Sequence, residues 1–350
     1  MSPVNTTGGL LRNVVLVGDV RSRLAELPAD SVDCVISSPP YFQLRDYGVA
    51  GQIGMEADVS GWVDELRLVM RGIARVLKPT GSVWLNLGDT FSSHNRFGAP
   101  PKSLLLGPAR VGLGLIEDGW VIRNSVIWAK TNTMPNSVRD RLSCSSEVVY
   151  FLTRARQYYF DLDAIRVPHR SVRSKSASAS TGASIPTRRP QWAGPLAGSN
   201  AGLARLKAQG LVGHPLGKNP GDVWSLPASN FRGQHFATFP PALVTRPLLA
   251  SCPERVCRSC GMPWQREPFR TRGQLAVHGE LRRACHCRKG WQPGLVLDPF
   301  FGAGTVGLVA EQHRRDWLGI ELNPAFARLA NDRIANARTD GRAGGQRRAA

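Results

Sequence analysis

The stretch Gly294-Leu295-Val296-Leu297-Asp298-Pro299-Phe300-Phe301-Gly302-Ala303-Gly304-Thr305 runs from an apolar segment through a glycine turn into a helical pattern over 302–312. Glycines at a strand-to-helix turn let a ligand approach the backbone, and the first turn of the helix offers unpaired N–H groups to a carboxylate or phosphate. A second apolar run, 316–322, ends at Glu321, 19 residues after Gly302, where a carboxylate can accept hydrogen bonds from a ribose diol. A helical pattern over 324–337 completes a β-α-β-α unit.

The other end of the chain carries the same alternation. Runs 13–18 (NVVLVG) and 32–37 (VDCVIS) read as strands around a helix at 21–27. Apolar residues at helical spacing over 59–77 stop before Lys78-Pro79-Thr80-Gly81, and 82–87 (SVWLNL) reads as a strand. Further on, 104–116 reads as a helix, 120–130 as a strand or hairpin arm and 147–152 as a strand. Strands alternating with helices predict an α/β fold on a mainly parallel sheet. The two α/β pieces are either two domains or one sheet whose first strands are encoded last.

The chain has 350 residues, 42% of them hydrophobic, with 45 Lys and Arg against 26 Asp and Glu, a net charge of +19. This composition excludes a peptide, a coiled coil and a mostly disordered chain. The charge is concentrated: residues 164–294 hold 20 basic and 4 acidic side chains, and the remaining residues carry a net +3. Such an excess points to a polyanionic partner, nucleic acid or an anionic membrane face. No stretch approaches the roughly 18–20 apolar residues of a membrane span, and the N-terminus lacks the pattern of a signal peptide, so a soluble cytoplasmic protein is expected. Within the basic middle, 171–190 (SVRSKSASASTGASIPTRRP) is low in complexity and reads as either a solvated linker or an element that contacts nucleic acid and orders on binding.

Two clusters bear chemistry. Ser37-Ser38-Pro39-Pro40-Tyr41 closes the strand at 32–37. Two prolines stiffen the loop and remove two N–H donors, so it presents acceptors, the carbonyls and the Ser38 hydroxyl, beside the flat face of Tyr41. That combination suits a planar ring bearing an exocyclic amino group. Separately, Cys257-x-x-Cys260-Gly261 and Cys285-x-Cys287 supply four thiols in two close pairs, the pattern of a structural zinc ribbon, with free surface thiols as the alternative. Four thiolates leave no open position for a catalytic metal. Cys252 and His286 stand outside the set, and Cys34 and Cys144 read as core residues.

These residues together resemble the DNA amino-methyltransferases in the permuted, beta-type order, in which the catalytic motif precedes the cofactor motif. Asp298 to Thr305 is similar to their S-adenosylmethionine loop, and Ser38 to Tyr41 to their catalytic tetrapeptide. SPPYFQLRDYG, WLNLGD, VIWAKTNTMPNSVRDR and HFATFPPALV extend the match in order from about Val15 to Ile334. Phe301 departs from the smaller residue of many relatives. The resemblance implies one circularly permuted Rossmann-like sheet with helices on both faces, split by a basic recognition insertion and a small four-cysteine zinc ribbon. The implied division is a catalytic part at 10–163, target recognition at 164–235, a cofactor-closing segment at 236–252, the ribbon at 253–292, the cofactor-binding part at 293–338 and a disordered tail at 339–350.

By the same resemblance, Asp298, Phe300, Gly302, Gly304 and Thr305 line the methionine end of S-adenosylmethionine. Glu321 meets its ribose and Asp19 neighbours its adenine, while Phe239 and Pro240 close over the methionine moiety. Ser38, Pro39, Pro40 and Tyr41 form the catalytic site. The implied reaction is methyl transfer to an exocyclic amino group in double-stranded DNA after the base leaves the stack. Ser before Pro-Pro-Tyr leans toward cytosine N4, with adenine N6 as the alternative and a non-catalytic DNA-binding protein as the contrasting class. A cognate restriction endonuclease is the further partner that the resemblance raises.

Overall fold

A computed structural model of the protein describes residues 11–133, 136–169, 214–229, 239–272 and 275–346. The low-complexity stretch 171–190 and most of the expected recognition segment lie outside the described residues. Two units are distinguished. The first comprises the chain up to Asp161, Gly221–Gln265 and the chain from Arg282; the second comprises Leu162–Pro220 and Arg266–Leu281. The arm between the cysteine pairs thus belongs to the second unit, and the four cysteines belong to the first.

The first unit is built on an eight-stranded sheet. In chain order its strands are β1 (Val14–Val17), β2 (Val32–Ser37), β3 (Leu77–Leu87), β4 (Val121–Lys130), β5 (Ser146–Thr153), β6 (Val223–Leu226), β7 (Leu295–Asp298) and β8 (Asp316–Glu321). Their spatial order is β1-β8-β7-β2-β3-β5-β4-β6. β7 and β8, encoded last, lie between β1 and β2 and join them in parallel, through Val14↔Leu318 and Leu297↔Val35. This is the permuted single sheet. β5 runs antiparallel to both β3 and β4, and β6 pairs parallel to β4, so one end of the sheet is mixed.

Alternation along the central strands separates two cores. Val35, Leu297, Leu318 and Ile320 face a cluster containing Leu24 of α1 (Val20–Glu26), Trp62, Leu66 and Met70 of α2 (Val59–Val76) and Val111 of α3 (Gly107–Glu117). Cys34, Ile36, Val296 and Trp317 face Val244 and Leu248 of α4 (Pro241–Ser251), Val306 and Val309 of α5 (Thr305–Gln312) and Ile334 of α6 (Pro324–Gln346). Successive side chains of a strand point to opposite faces, so a strand covered on both sides becomes a continuous apolar run; β2 is buried along its whole length. α2 buries Val59, Trp62, Val63, Leu66, Val69, Met70, Ile73 and Val76 on one stripe, and the Asp58 side chain caps its start by accepting from the Gly61 amide.

Several expected boundaries move, each for a physical reason. Lys78-Pro79-Thr80-Gly81, read as a break, lies inside β3 as a bulge: Val32 pairs with Leu77 and Cys34 with Ser82, so the register skips 78–81, where a proline is tolerated. α3 begins at Gly107 rather than 104, since Leu106 adopts φ +54° and the Asp89 carboxylate accepts from the Gly107 amide at 3.0 Å. α6 continues to Gln346, past the point at 339 where a structureless tail is expected, because extending a formed helix costs far less than nucleating one. Cys144 is exposed, correcting its reading as a core residue: it lies in the connection between β4 and β5, whereas Cys34 is buried in the sheet. Among the described residues no helix is long and apolar enough to cross a membrane.

Candidate active site and cysteine cluster

The C-terminal ends of β2, β3 and β7 open onto a cleft of about 390 Å³, within the usual range for small-molecule sites. Ser38, Pro39, Pro40 and Tyr41 line it from β2, and Phe300, Gly302 and Thr305 from the turn after β7. Asp19, Glu321 and Phe239 complete the set of expected residues that reach it. Asp298, Gly304 and Pro240 do not line the cleft. Asp298 is buried beneath the turn, Gly304 caps α5, and Pro240 caps α4.

The glycine turn is shaped from below. Gly302 and Gly304 adopt φ +49° and +73°, left-handed conformations that side chains rarely take. Phe301, the unusual residue in this turn, is buried and stacks on Trp317 with ring centroids 5.2 Å apart. Its ring occupies the space above Gly319 and beside Gly307, where a Cβ would collide with it. The larger side chain is therefore matched by glycines on β8 and α5.

Two buried carboxylates hold the loops. Asp298 accepts from the Ser37 hydroxyl at 2.6 Å and the Phe300 amide at 3.1 Å. Burial pushes its pKa up to about 7 against those hydrogen bonds, with the Glu321 charge adding to the rise. Glu321 accepts from the Gly302 amide at 2.7 Å and the Asn323 amide at 2.8 Å, and burial raises its pKa too. Asp19 caps α1 by accepting from the Arg21 amide at 2.9 Å, and its bonds to the Arg21 guanidinium lower its pKa.

The Ser38–Tyr41 loop rests on residues that sequence reasoning did not single out. Trp62 donates its indole N–H to the Pro40 carbonyl at 2.9 Å. Tyr41 packs its ring over Gly88 and donates its hydroxyl to Glu147 Oε2 at 2.7 Å. Asn86 Nδ2 lies 2.7 Å from both the Tyr41 oxygen and Glu147 Oε2, and 3.4 Å from Ser38 Oγ. Lys130 pairs with the other Glu147 oxygen. The Ser38 and Tyr41 oxygens are 3.1 Å apart. With the tyrosine proton directed to Glu147, Ser38 donates to Tyr41, accepts from Asn86 on one lone pair and keeps the other for a ligand. Burial and the Glu147 charge hold the Tyr41 pKa well above its usual value, so it stays a donor. The signal available in sequence was a polar residue inside or ending an apolar strand, as in Asn86 of SVWLNL and Lys130 of VIWAK.

The sulfurs of Cys257, Cys260, Cys285 and Cys287 lie within 4.8 Å of one another. Tetrahedral zinc with Zn–S bonds of about 2.3 Å separates its sulfurs by about 3.8 Å, so the four thiols fit one ion. The Ser259 amide lies 3.4 Å from the Cys257 sulfur, an N–H···S contact that favours thiolate. Cys252 is buried outside the cluster, and His286 is exposed.

The DNA methylase family, N6_N4_Mtase, matches residues 32–332. The type II methyltransferase M.SmaI of Serratia marcescens is 31% identical over 345 residues, covering 93% of this chain and 91% of its own. M.XycI of Xanthomonas campestris pv. cyanopsidis is 31% identical over 339 residues, covering 91% and 86%. Among solved structures, the PvuII DNA methyltransferase (cytosine-N4-specific) superposes with a TM-score of 0.55 at 17% identity, covering 92% of this chain and 90% of that one. A putative DNA modification methylase of Thermus thermophilus, TTHA0409, complexed with S-adenosyl-L-methionine, superposes with a TM-score of 0.50 at 22% identity, covering 92% and 95%. At these identities the two structures attest the fold. With the family match spanning most of the sequence and two relatives aligned along nearly its whole length, the chain belongs to the DNA methylase family, the S-adenosylmethionine-dependent amino-methyltransferases.

Proposed function

We propose that this protein transfers a methyl group from S-adenosylmethionine to the N4 amino group of a cytosine flipped out of duplex DNA. The observation that carries the reading is the position of Ser38: it borders the cleft with its oxygen 3.1 Å from that of Tyr41, and Pro39 lines the cleft next to it. The amino nitrogen of an aromatic base is a poor nucleophile because its lone pair is delocalised into the ring. Acceptors that draw on its protons favour the tetrahedral geometry from which it can attack. Ser38 and the Pro39 carbonyl are those acceptors. The chain from Ser38 through the Tyr41 hydroxyl to Glu147 then offers the departing proton a path, with Lys130 compensating the Glu147 charge. Tyr41 also presents its ring to the base.

The cofactor residues follow the geometry of the cleft. Gly302 offers backbone that no side chain shields, Glu321 meets the ribose, and Phe239 covers the methionine end. When bound, S-adenosylmethionine supplies an electrophilic methyl on a cationic sulfur, and the carboxylates of Asp19 and Glu321 beside the cleft complement its positive charge. Asp298 acts from below, fixing the turn rather than touching the ligand. Pro240 fixes the start of α4, and Gly304 the start of α5. Reading of the recognition sequence is assigned to residues 164–235.

A serine hydroxyl in the first position of the tetrapeptide and the fold shared with the cytosine-N4-specific PvuII enzyme support cytosine over adenine. Adenine N6 presents the same type of amino group and is the second outcome of the test. Duplex DNA incubated with methyl-labelled cofactor and digested to nucleosides distinguishes them. Ser38→Ala should lower turnover by about 100-fold with little change in cofactor affinity; turnover at the unmodified rate would refute this role for Ser38.

A further inference from the structure

The cysteine knuckle docks on the sheet at the end opposite the cleft. Cys257 and Cys260 flank a turn whose next residue, Gly261, adopts φ +70° and directs its carbonyl to Lys78 Nζ at 3.4 Å. Lys78 is itself paired with Asp33 at 2.6 Å, and both side chains are largely buried. The second oxygen of Asp33 accepts from the amide of Leu295, the first residue of β7, at 2.9 Å. Lys78 and Asp33 lie near the N-terminal ends of β3 and β2, whereas Ser37 and Asp298 close the C-terminal ends of β2 and β7. The cysteine site therefore stands a strand's length from the reacting atoms.

The legs of the knuckle converge on the same strand. Trp291 pairs with Cys257 and Gln292 with Val256, antiparallel. The Gly294 amide donates to the Pro253 carbonyl at 3.1 Å, and the Asp316 amide to the Gly294 carbonyl at 3.0 Å. β7 is only four residues long, from Leu295 to Asp298, beyond which the glycine turn begins. The knuckle is thus joined to the entry of β7, and β7 carries the turn.

We propose that Cys257, Cys260, Cys285 and Cys287 bind one zinc ion, and that the zinc-held knuckle, seated on the Lys78–Asp33 pair, sets β7 so that the cofactor turn is preformed. The metal acts on cofactor affinity and takes no part in methyl transfer. A site of four cysteine ligands has no open position for a substrate, and it organises backbone only by holding its ligands together. Lys78 is a positioning residue: it links a carbonyl of the knuckle to the carboxylate that anchors Leu295. The inference rests on the proposed S-adenosylmethionine site.

The full chain, purified without added metal, is assayed for zinc by mass spectrometry, and its affinity for S-adenosylmethionine is measured by calorimetry before and after zinc is removed with a chelator. One zinc per chain is expected, with affinity about tenfold weaker after removal and restored by zinc return. Lys78→Met, and Asp33→Asn with Lys78→Met to avoid an unpaired carboxylate, should retain the zinc. Both should bind the cofactor about tenfold more weakly while keeping turnover at saturating cofactor. Iron or no metal in the purified chain, or cofactor affinity equal with and without zinc and in both variants, overturns the proposal. Absence of cofactor binding by the zinc-loaded chain would instead overturn the cofactor site on which it rests.

Discussion

Ser37 donates its hydroxyl to Asp298 at 2.6 Å across a sequence separation of 261 residues. The bond joins the strand that ends in the Ser38–Tyr41 tetrapeptide to the strand that ends in the glycine turn. In a permuted chain these strands are encoded at opposite ends, so this buried contact sets the two motifs at a fixed distance. Burial of Asp298 has a measurable cost, because its pKa is pushed from 3.8 to about 7.

A carboxyl whose folded pKa exceeds its unfolded one binds more protons in the folded state between those two values. Its contribution to stability is present below about pH 4 and is lost as pH rises through about 7. The shift corresponds to an order of magnitude of about 4 kcal/mol. Asp298→Asn, which keeps an acceptor for Ser37, should flatten the fall in melting temperature between pH 5 and pH 8 in the cofactor-free protein. Identical pH profiles for the two proteins would show that Asp298 ionises without cost.

Tyr41→Phe removes the oxygen that receives the Ser38 proton, and Glu147→Gln removes the charge at the end of that path. Each should reduce turnover by about 10- to 100-fold. Calorimetric cofactor affinity should stay within about twofold, since neither side chain belongs to the glycine turn after β7. Loss of cofactor binding in step with turnover would make the network a support for the whole cleft instead.

The Phe301 ring occupies the space over Gly319. Gly319→Ala should destabilise the protein by about 1–3 kcal/mol, the range for overpacking a dense core. Combining it with Phe301→Val should recover part of that loss, because the smaller side chain vacates the space. Additive losses in thermal melts would contradict the pairing.

Residues 171–218 carry seven Lys and Arg and no Asp or Glu. If these cations neutralise phosphates, deleting the segment should weaken DNA binding and reduce the slope of log affinity against log salt by several units, at about 0.9 per contact. An unchanged slope by fluorescence anisotropy would move the phosphate contacts elsewhere.

The sheet was legible because its evidence is local. Val32 to Ser37 forms an unbroken buried strand, Val59 to Val76 keeps one buried stripe, and the order of the two loops announced that β7 and β8 enter between β1 and β2. The support beneath Ser38 was not legible. Asn86 and Glu147 stand 61 residues apart and Tyr41 and Glu147 106 apart, and a polar residue in a strand does not show which neighbour it will meet. The same limit applied to Cys144, whose hydrophobic character suggested burial until the connection after β4 placed it at the surface. The four clustered cysteines, by contrast, were found through spacing alone, since each pair is formed by close neighbours in sequence.

The most direct measurement is nucleoside analysis of duplex DNA after incubation with methyl-labelled S-adenosylmethionine and the full chain. The mechanism built on Ser38 predicts label in N4-methylcytosine, abolished by omitting the protein and strongly reduced by Ser38→Ala. Label in N6-methyladenine would contradict the assignment of the base, and absence of label from both nucleosides would contradict the proposed reaction.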